Sequence, residues 1–277
     1  MMGDDRTEQN RVVTVIQNGV ANVRLNRPEK LNALDEPMFA ALIETGERLA
    51  SEAGVRAVVL SGEGRGFCAG LDLTRFQAMV DPSQPNRIHG PRSSGRIGTL
   101  SQYAAWIWAE MPVPVLAAVH GVALGGGLQL ALAADVRIVS PEARLSVLEI
   151  RWGLIPDMTG TYVLPRLVGV DVAKELTWTG RMVSGEEAVQ LGLATHVSDT
   201  PLDDALALAA EIATNAPDAI RAAKRLLNIS LGHTPKEHFA EEEAAMNSLR
   251  GTANQREAVS AYFEKRSPRY ANPGETA

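Results

Sequence analysis

An α/β fold is predicted for this chain of 277 residues, and three features of the sequence lead to that prediction. Two strand-like runs near the N-terminus flank Asn18-Gly19, further strand-like runs alternate with helical ones, and the C-terminal part is rich in Ala, Glu, Lys and Leu. Strands that alternate with helices are typical of an α/β core. We therefore expect a core domain over residues 1–200 and a helical C-terminal domain over residues 201–277.

The first elements are a hairpin, a helix and a buried strand. Residues 11–16 and 20–25 are rich in Val, and the Asn-Gly pair between them is a strong hairpin signal. Residues 36–52 carry apolar side chains at helical spacing, which predicts an amphipathic helix. Residues 56–61 form an apolar run that predicts a buried strand.

Three consecutive glycines, Gly125-Gly126-Gly127, follow a strand-like run over residues 114–124 and precede an apolar helical run over residues 128–135. The first amides of a helix have no partner within the helix and lie at the positive end of its dipole. Without side chains in the way, these amides can hold an anion, or an oxygen that becomes anionic during a reaction.

A second glycine-rich segment, residues 62–73, directly follows the buried strand at 56–61. It fits neither the dinucleotide fingerprint nor a phosphate-binding Walker loop. Taken alone, it predicts a structural turn. Taken with the first cluster, it offers the amides near Gly70 and Leu71, so two loops could each supply one amide to a shared carbonyl oxygen.

The later elements are short strands followed by helices. Residues 137–140 and 144–148 predict two further strands. Residues 75–100 predict a long loop, because positions 81–95 are rich in Pro, Gly and Ser; such a loop is either a lid over a binding site or a mobile surface insertion. Four helices are predicted beyond residue 200, over residues 202–214, 217–231, 235–249 and 254–265.

Composition limits the partners and the compartment. The net charge of −6 gives no reason to expect binding to nucleic acid or to a membrane surface. The one cysteine, Cys68, fits a reducing cytoplasm, and the first ten residues lack the apolar run of a signal peptide. Residues 115–136 are apolar but contain polar side chains and four glycines, so we reject a membrane span.

Among the candidate reactive side chains, two carboxylates stand out. Cys68 has no nearby His to activate it, and the five histidines show no metal-ligand spacing, so we expect neither a thiol nucleophile nor a metal site. Glu149 lies in apolar company, which disfavours the charged form and suits a general acid or base. Asp157 follows in a Pro/Gly loop. The alternatives are a salt bridge of Glu149 with Arg144 or Arg151, and a helix N-cap role for Asp157.

Four segments together resemble the crotonase, or enoyl-CoA hydratase/isomerase, superfamily. They are residues 25–34 (LNRPEKLNAL), 66–73 (GFCAGLDL), 118–127 (AVHGVALGGG) and 178–188 (WTGRMVSGEEA). The resemblance runs from about residue 12 to 268 in the expected order. It implies a spiral of ββα units, a helical C-terminal region that assembles trimers or hexamers, and an acyl-CoA thioester as substrate with no separate cofactor.

The resemblance also implies roles for particular residues. The amides of Leu71 and Gly126 would bind the thioester oxygen, which agrees with the analysis of the two glycine clusters. Residues implied in binding the substrate are Lys30, Leu31, Ala69, Gly70, Asp72, Gln129, Tyr262 and Lys265, the last two across a subunit boundary.

Gln129 departs from the typical hydratase pattern, in which glutamates stand at positions 129 and 149. A glutamine cannot accept a proton from water, so isomerisation of a double bond is favoured over hydration of a 2-enoyl-CoA, which is kept as the alternative. Glu149 and Asp157 match the acid pair of dienoyl-CoA isomerases, although those usually carry Asp at position 129. Isomerases that shift one double bond need only the acid at position 149.

Three further interpretations stay open with less support. A dehalogenase with Asp157 as nucleophile would carry Trp at position 149. The loss of one family acid at Gln129 favours a non-catalytic CoA-binding protein. An RNA-binding relative conflicts with the acidic composition, since no basic stripe extends from Arg221, Lys224 and Arg225.

Overall fold

The computed structural model describes residues 10–80 and 96–274. Nine strands lie within these ranges: β1 (Val12–Gln17), β2 (Val20–Leu25), β3 (Ala57–Gly62), β4 (Val115–Val119), β5 (Val122–Leu124), β6 (Val136–Val139), β7 (Arg144–Ser146), β8 (Val183–Ser184) and β9 (His196–Val197). Eleven helices lie within the same ranges: α1 (Glu36–Ser51), α2 (Leu73–Val80), α3 (Leu100–Ala109), α4 (Gly126–Leu132), α5 (Gly160–Val168), α6 (Val170–Thr179), α7 (Gly185–Gln190), α8 (Pro201–Ala213), α9 (Pro217–Ile229), α10 (Pro235–Leu249) and α11 (Ala253–Phe263). Pro28–Lys30 and Glu149–Trp152 form short 3-10 helices.

The strands form two sheets between which the chain alternates. One sheet has six strands in the order β1-β2-β3-β4-β6-β9, and the other has three in the order β5-β7-β8. From β2 to β9 the large sheet is parallel. Strand β4 joins the large sheet, β5 joins the small one, and α4 follows; β6, β7 and α5 repeat this order. The predicted α/β class and the spiral of ββα units are therefore confirmed.

The N-terminal hairpin forms as predicted. Strands β1 and β2 pair antiparallel with Gln17 opposite Val20, and Asn18 and Gly19 adopt φ values of 51° and 80° between them. Positive φ at both turn positions explains why Asn-Gly occurs there. Helix α1 begins just after Asp35, whose side chain accepts a hydrogen bond from the Met38 amide.

Both faces of the large sheet are covered. One face packs in a core that includes α1 and α3, and the other packs against α8 through Ala205, Ala209 and Ala213. Helix α8 therefore packs directly on the core sheet, and the domain boundary expected at residue 200 stays a prediction. The four predicted C-terminal helices form within two residues of their expected limits.

The region from 73 to 109 differs most from the prediction. Helix α2 occupies the start of the expected loop, and the Pro/Gly/Ser-rich residues 81–95 lie outside the described residues. Helix α3 was missed because apolar residues lie on most of its sides, so its periodicity is weak. Its capping box, formed by Thr99 and Gln102, is the local signal that marks its start.

The apolar segment over residues 115–136 does not form one continuous helix. This segment folds as β4, β5 and α4, and within the described ranges no helix has both the length and the apolar character needed to cross a bilayer.

Helix α9 is attached to the core by an ion pair between the buried Lys224 and the more exposed Asp135. The Lys224 ammonium donates to Asp135 Oδ2 at 2.7 Å and to the Val113 carbonyl at 3.0 Å. Asp135 Oδ2 also accepts the Val115 amide at 2.7 Å. Burial lowers the pKa of Lys224, and the charge of Asp135 acts in the opposite direction. Removing one partner of a buried pair is costly because the other charge stays desolvated.

We predict that Lys224→Met lowers the free energy of unfolding by about 2–3 kcal/mol, below the usual range for a buried pair because the Asp135 side chain keeps 28% exposure. The matched control is Arg225→Met on the same helix, whose ion pair with Glu241 is exposed and contributes less than about 1 kcal/mol. Urea unfolding followed by circular dichroism measures both. Equal effects of the two substitutions would contradict the role assigned to Lys224.

Candidate active site

A cavity of ≈ 560 Å³ brings together residues that are far apart in the sequence. Its walls come from the segment before α2, from α2, from the start of α4, and from the 3-10 helix Glu149–Trp152 with the loop after it. Seven of the twelve predicted site residues line it: Ala69, Gly70, Leu71, Gly126, Gln129, Glu149 and Asp157.

The backbone around Leu71 directs its amide away from the neighbouring strand. The Leu34 amide donates to the Gly70 carbonyl at 2.8 Å, and the Asp72 amide donates to the Leu34 carbonyl at 3.1 Å. Successive amides of an extended segment point to opposite sides. The Leu71 amide therefore faces the side away from Leu34, and among the described residues it donates to no other backbone group.

The Gly126 amide is also available. It lies in the first turn of α4, where a backbone N–H has no partner within the helix, while the preceding Gly125 amide donates to the Ser146 carbonyl at 2.9 Å. The two loops touch through glycine: a Cβ on Gly70 would lie 2.5 Å from the Leu124 carbonyl oxygen and 3.6 Å from the Gly126 nitrogen. Gly70 also has a φ of +90°, which residues with a side chain rarely adopt. Both the close contact and the backbone angle therefore require glycine.

Asn32 holds the glycine-rich loop in place. Its side chain is fully buried, accepts from the Arg27 amide at 2.8 Å and donates to the carbonyls of Glu63 and Gly66 at 2.9 Å. One side chain thus ties the loop before α1 to the loop before α2. Sequence analysis gave Asn32 no role, although its motif (residues 25–34) contributed to the family resemblance.

Glu149 is a buried carboxyl with one free oxygen. Its residue exposure is 9%, its Oε1 accepts from Gln129 Nε2 at 2.6 Å, and its Oε2 has no hydrogen-bond partner within the described residues. Burial raises the pKa of Glu149, the negative charge of Asp157 raises it further, and hydrogen bonds from its own backbone and from Gln129 oppose this. A carboxyl whose pKa is raised in this way is suited to accept or release a proton during a reaction.

The structural alternatives for the two acids are wrong. Neither Arg144 nor Arg151 forms an ion pair with Glu149 in the part of the chain that the structure describes. The N-cap of α5 is Thr159, not Asp157. Asp157 is half-buried and lines the same cavity as Glu149.

The other five predicted residues do not line the cavity. Asp72 accepts from the Arg27 side chain and from the Thr74 amide and hydroxyl, which together hold the pKa of its carboxyl at about 2 despite burial. Its carboxylate is therefore committed to the framework. Four residues lie elsewhere, and their contacts with CoA stay predictions: the exposed Lys30, Tyr262 and Lys265, and the partly exposed Leu31.

The cavity is also lined by aromatic side chains, for which the sequence had given no prediction. Phe76 of α2 stacks on Trp152, with ring centroids 4.3 Å apart, and Phe39 and Met79 add further apolar surface. The site therefore combines an apolar wall with two backbone amides and two carboxyl groups. Within the described ranges, no three His, Cys, Asp or Glu side chains are grouped so as to hold a metal ion.

This chain is similar to known proteins over nearly its whole length. Residues 15–273 match the family model described as enoyl-CoA hydratase/isomerase. The 1,2-epoxyphenylacetyl-CoA isomerase of Escherichia coli is 34% identical, over 94% of this chain and 97% of the relative. The short-chain-enoyl-CoA hydratase of Clostridium acetobutylicum is 32% identical, over 94% and 97%. A crystal structure of enoyl-CoA hydratase from Bacillus anthracis superposes with a TM-score of 0.86 at 32% identity, covering 94% of this chain and 98% of that one.

We predict that Cys68 does not react as a nucleophile in the native protein. Burial raises the pKa of its thiol to about 12, and the thiol donates to the Asn32 carbonyl at 3.1 Å. At pH 8 roughly one thiol in 10⁴ is ionised at such a pKa. Ellman's reagent should label the unfolded chain within minutes and leave the native one unlabelled. Rapid labelling of the native protein would contradict the burial of this thiol.

Proposed function

The chain belongs to the enoyl-CoA hydratase/isomerase family and is an acyl-CoA enzyme of that family, and we propose that it moves double bonds in its substrate rather than adding water. The observation that carries this proposal is the shared cavity, which Glu149 and Asp157 line together with Leu71 and Gly126. Gln129 lines it as well, at the position where typical hydratases of the family carry a second glutamate.

The two amides would bind the thioester oxygen of the acyl-CoA. Removal of a proton next to a thioester sends an electron pair into the carbonyl and leaves an enolate, whose negative charge lies on that oxygen. Preorganised N–H donors at the place where charge develops lower the barrier, and each contributes about 10²–10³ in rate. The two loops keep the amides of Leu71 and Gly126 in place before the substrate arrives.

Glu149 is placed to take the proton next to the thioester. Its Oε1 lies 3.3 Å from the point that a Cβ on Gly125 would occupy, so the carboxyl is adjacent to the Gly126 amide. In its ionised form Oε2 removes a proton from the carbon beside the carbonyl. The two acids share one proton, and the reactive form is the one in which Asp157 carries it. Asp157 returns that proton to the far end of the conjugated chain, and the double bonds move toward the thioester.

Hydration is the second candidate, and the name of the Clostridium relative favours it. Against it stands the Gln129 side chain, because its amide nitrogen donates to Glu149 and cannot accept a proton from water. A hydratase here would depend on Glu149 alone to activate water.

We also propose that the chain forms a homo-oligomer through its C-terminal helices. Large apolar side chains on α9, α10 and α11 are exposed, among them Leu227, Phe239, Tyr262 and Phe263. Clusters of exposed apolar residues are typical of association surfaces.

A panel of three substrates tests the proposed reaction. We expect the enzyme to convert a 3,5-dienoyl-CoA into the 2,4-isomer, seen as rising absorbance of the conjugated product, with a kcat/KM about tenfold or more above that for hydration of a 2-enoyl-CoA. A 3-enoyl-CoA completes the panel. Faster hydration than isomerisation would overturn the proposal, and binding of acyl-CoA without turnover would point to a non-catalytic protein.

Variants of the two acids complete this test. Glu149→Gln should lower kcat on every substrate of the panel by about 10²–10⁴. Asp157→Asn should lower turnover of the dienoyl substrate by a similar factor and spare the 3-enoyl substrate, because a single shift needs one acid.

A further inference from the structure

We propose that Gln129 is a positioning residue for the two acids. It holds Glu149 by one carboxyl oxygen and leaves the other oxygen to exchange protons. It also connects Glu149 to the loop that carries Asp157. The proposal rests on the proposed function, because it concerns the acids of that reaction. It assigns Gln129 a role that the comparison of sequences leaves open, since the typical second glutamate is absent.

The carboxamide of Gln129 has one orientation that satisfies its neighbours. Its Oε1 accepts the amides of Met158 and Gly160, both at 2.8 Å. Two N–H donors on one side require the oxygen there, so the NH₂ group faces Glu149. A Cβ on Gly160 would lie 2.6 Å from Gln129 Oε1, so the backbone comes this close only because residue 160 is glycine.

The nitrogen of Gln129 then fixes the rotation of the Glu149 carboxyl. Nε2 donates to Oε1 at 2.6 Å, and Oε2 is left buried without a hydrogen-bond partner among the described residues. A buried polar atom without a partner costs stability and calls for a functional reason. Because Met158 follows Asp157 directly, the same carboxamide also holds the backbone that carries the second acid.

A glutamate introduced in place of Gln129 would behave differently. One of its oxygens would meet the amides of Met158 and Gly160, and the other would replace Nε2 against Glu149 Oε1. Two carboxylates that close cannot both stay ionised at low cost, so they share one proton. With the proton present, the hydroxyl of the introduced carboxyl group donates as Nε2 does; once the proton is lost, the two groups repel each other.

Among the residues that the structure describes, few other charges act on Glu149. Asp157 faces it across the cavity and raises its pKa. Helix α4 brings no titratable group. On the neighbouring elements, Arg151 is exposed, Glu175 of α6 pairs with Arg181, and Arg166 of α5 bonds the Tyr162 carbonyl. A changed pH dependence after substitution of Gln129 therefore reports on Gln129 and the two acids.

The pH dependence of kcat on the dienoyl substrate tests this role. Gln129→Met removes a hydrogen bond that lowers the pKa of Glu149, so the acidic limb should move to higher pH. Gln129→Glu adds an ionisation that the wild type lacks, so kcat should fall by up to roughly a further tenfold per pH unit on the alkaline side. The matched control is Gln190→Glu, which adds the same charge at an exposed position and should leave both limbs in place.

A second measurement needs no turnover. The ¹³C resonance of the Glu149 carboxyl, assigned by its loss in Glu149→Gln, should titrate at higher pH in Gln129→Met than in the wild type. If both variants lose activity by a factor independent of pH and the titration does not move, Gln129 does not position Glu149. An inactive wild type would refute the proposed reaction, and the titration would still decide the role of Gln129. If Gln129→Met fails to fold, the pH dependence of kcat and the titration of the Glu149 carboxyl are both measured on Gln129→Glu.

Discussion

The contact between the loop at Gly70 and the turn at Gly125 fixes the geometry on which the rest of the site depends. It is a contact between backbones: the Cys68 amide donates to the Val122 carbonyl, the Leu124 amide donates to the Cys68 carbonyl, and Gly70 leaves no side chain between the two. Two peptide nitrogens from separate segments thereby reach one cavity. Because backbone held on both sides reorganises little when charge develops on a ligand, this arrangement suits stabilisation of an enolate.

The acids are arranged around that pair by different means. Glu149 is desolvated, which raises its pKa, and Gln129 limits its freedom to one rotational state. Asp157 lies on a loop whose backbone is held by the same glutamine through Met158 and Gly160. Phe76 and Trp152 build an apolar wall of the cavity that holds the acids, and apolar surroundings strengthen each of these electrostatic effects.

Much of this could be predicted from local sequence signals. The Asn-Gly turn, the C-terminal helices and the amides of the glycine clusters each follow from residues adjacent in the chain. The hydrogen bonds of the Gln129 side chain could not be predicted, because their partners lie 20 to 31 positions away in the sequence and meet only in the folded chain. Docking of α8 on the sheet was also missed, although Ala205, Ala209 and Ala213 recur every four residues and allow close packing. Helix α3 was not predicted because it is apolar on most sides, so its sequence lacks the helical alternation of apolar and polar residues.

The most direct test of the account is a crystal structure of the Glu149→Gln variant with an intact acyl-CoA bound. We predict that the thioester oxygen lies about 2.7–3.1 Å from both the Leu71 and the Gly126 nitrogen. A thioester oxygen bound elsewhere, or amides of Leu71 and Gly126 occupied by groups of the protein, would contradict it.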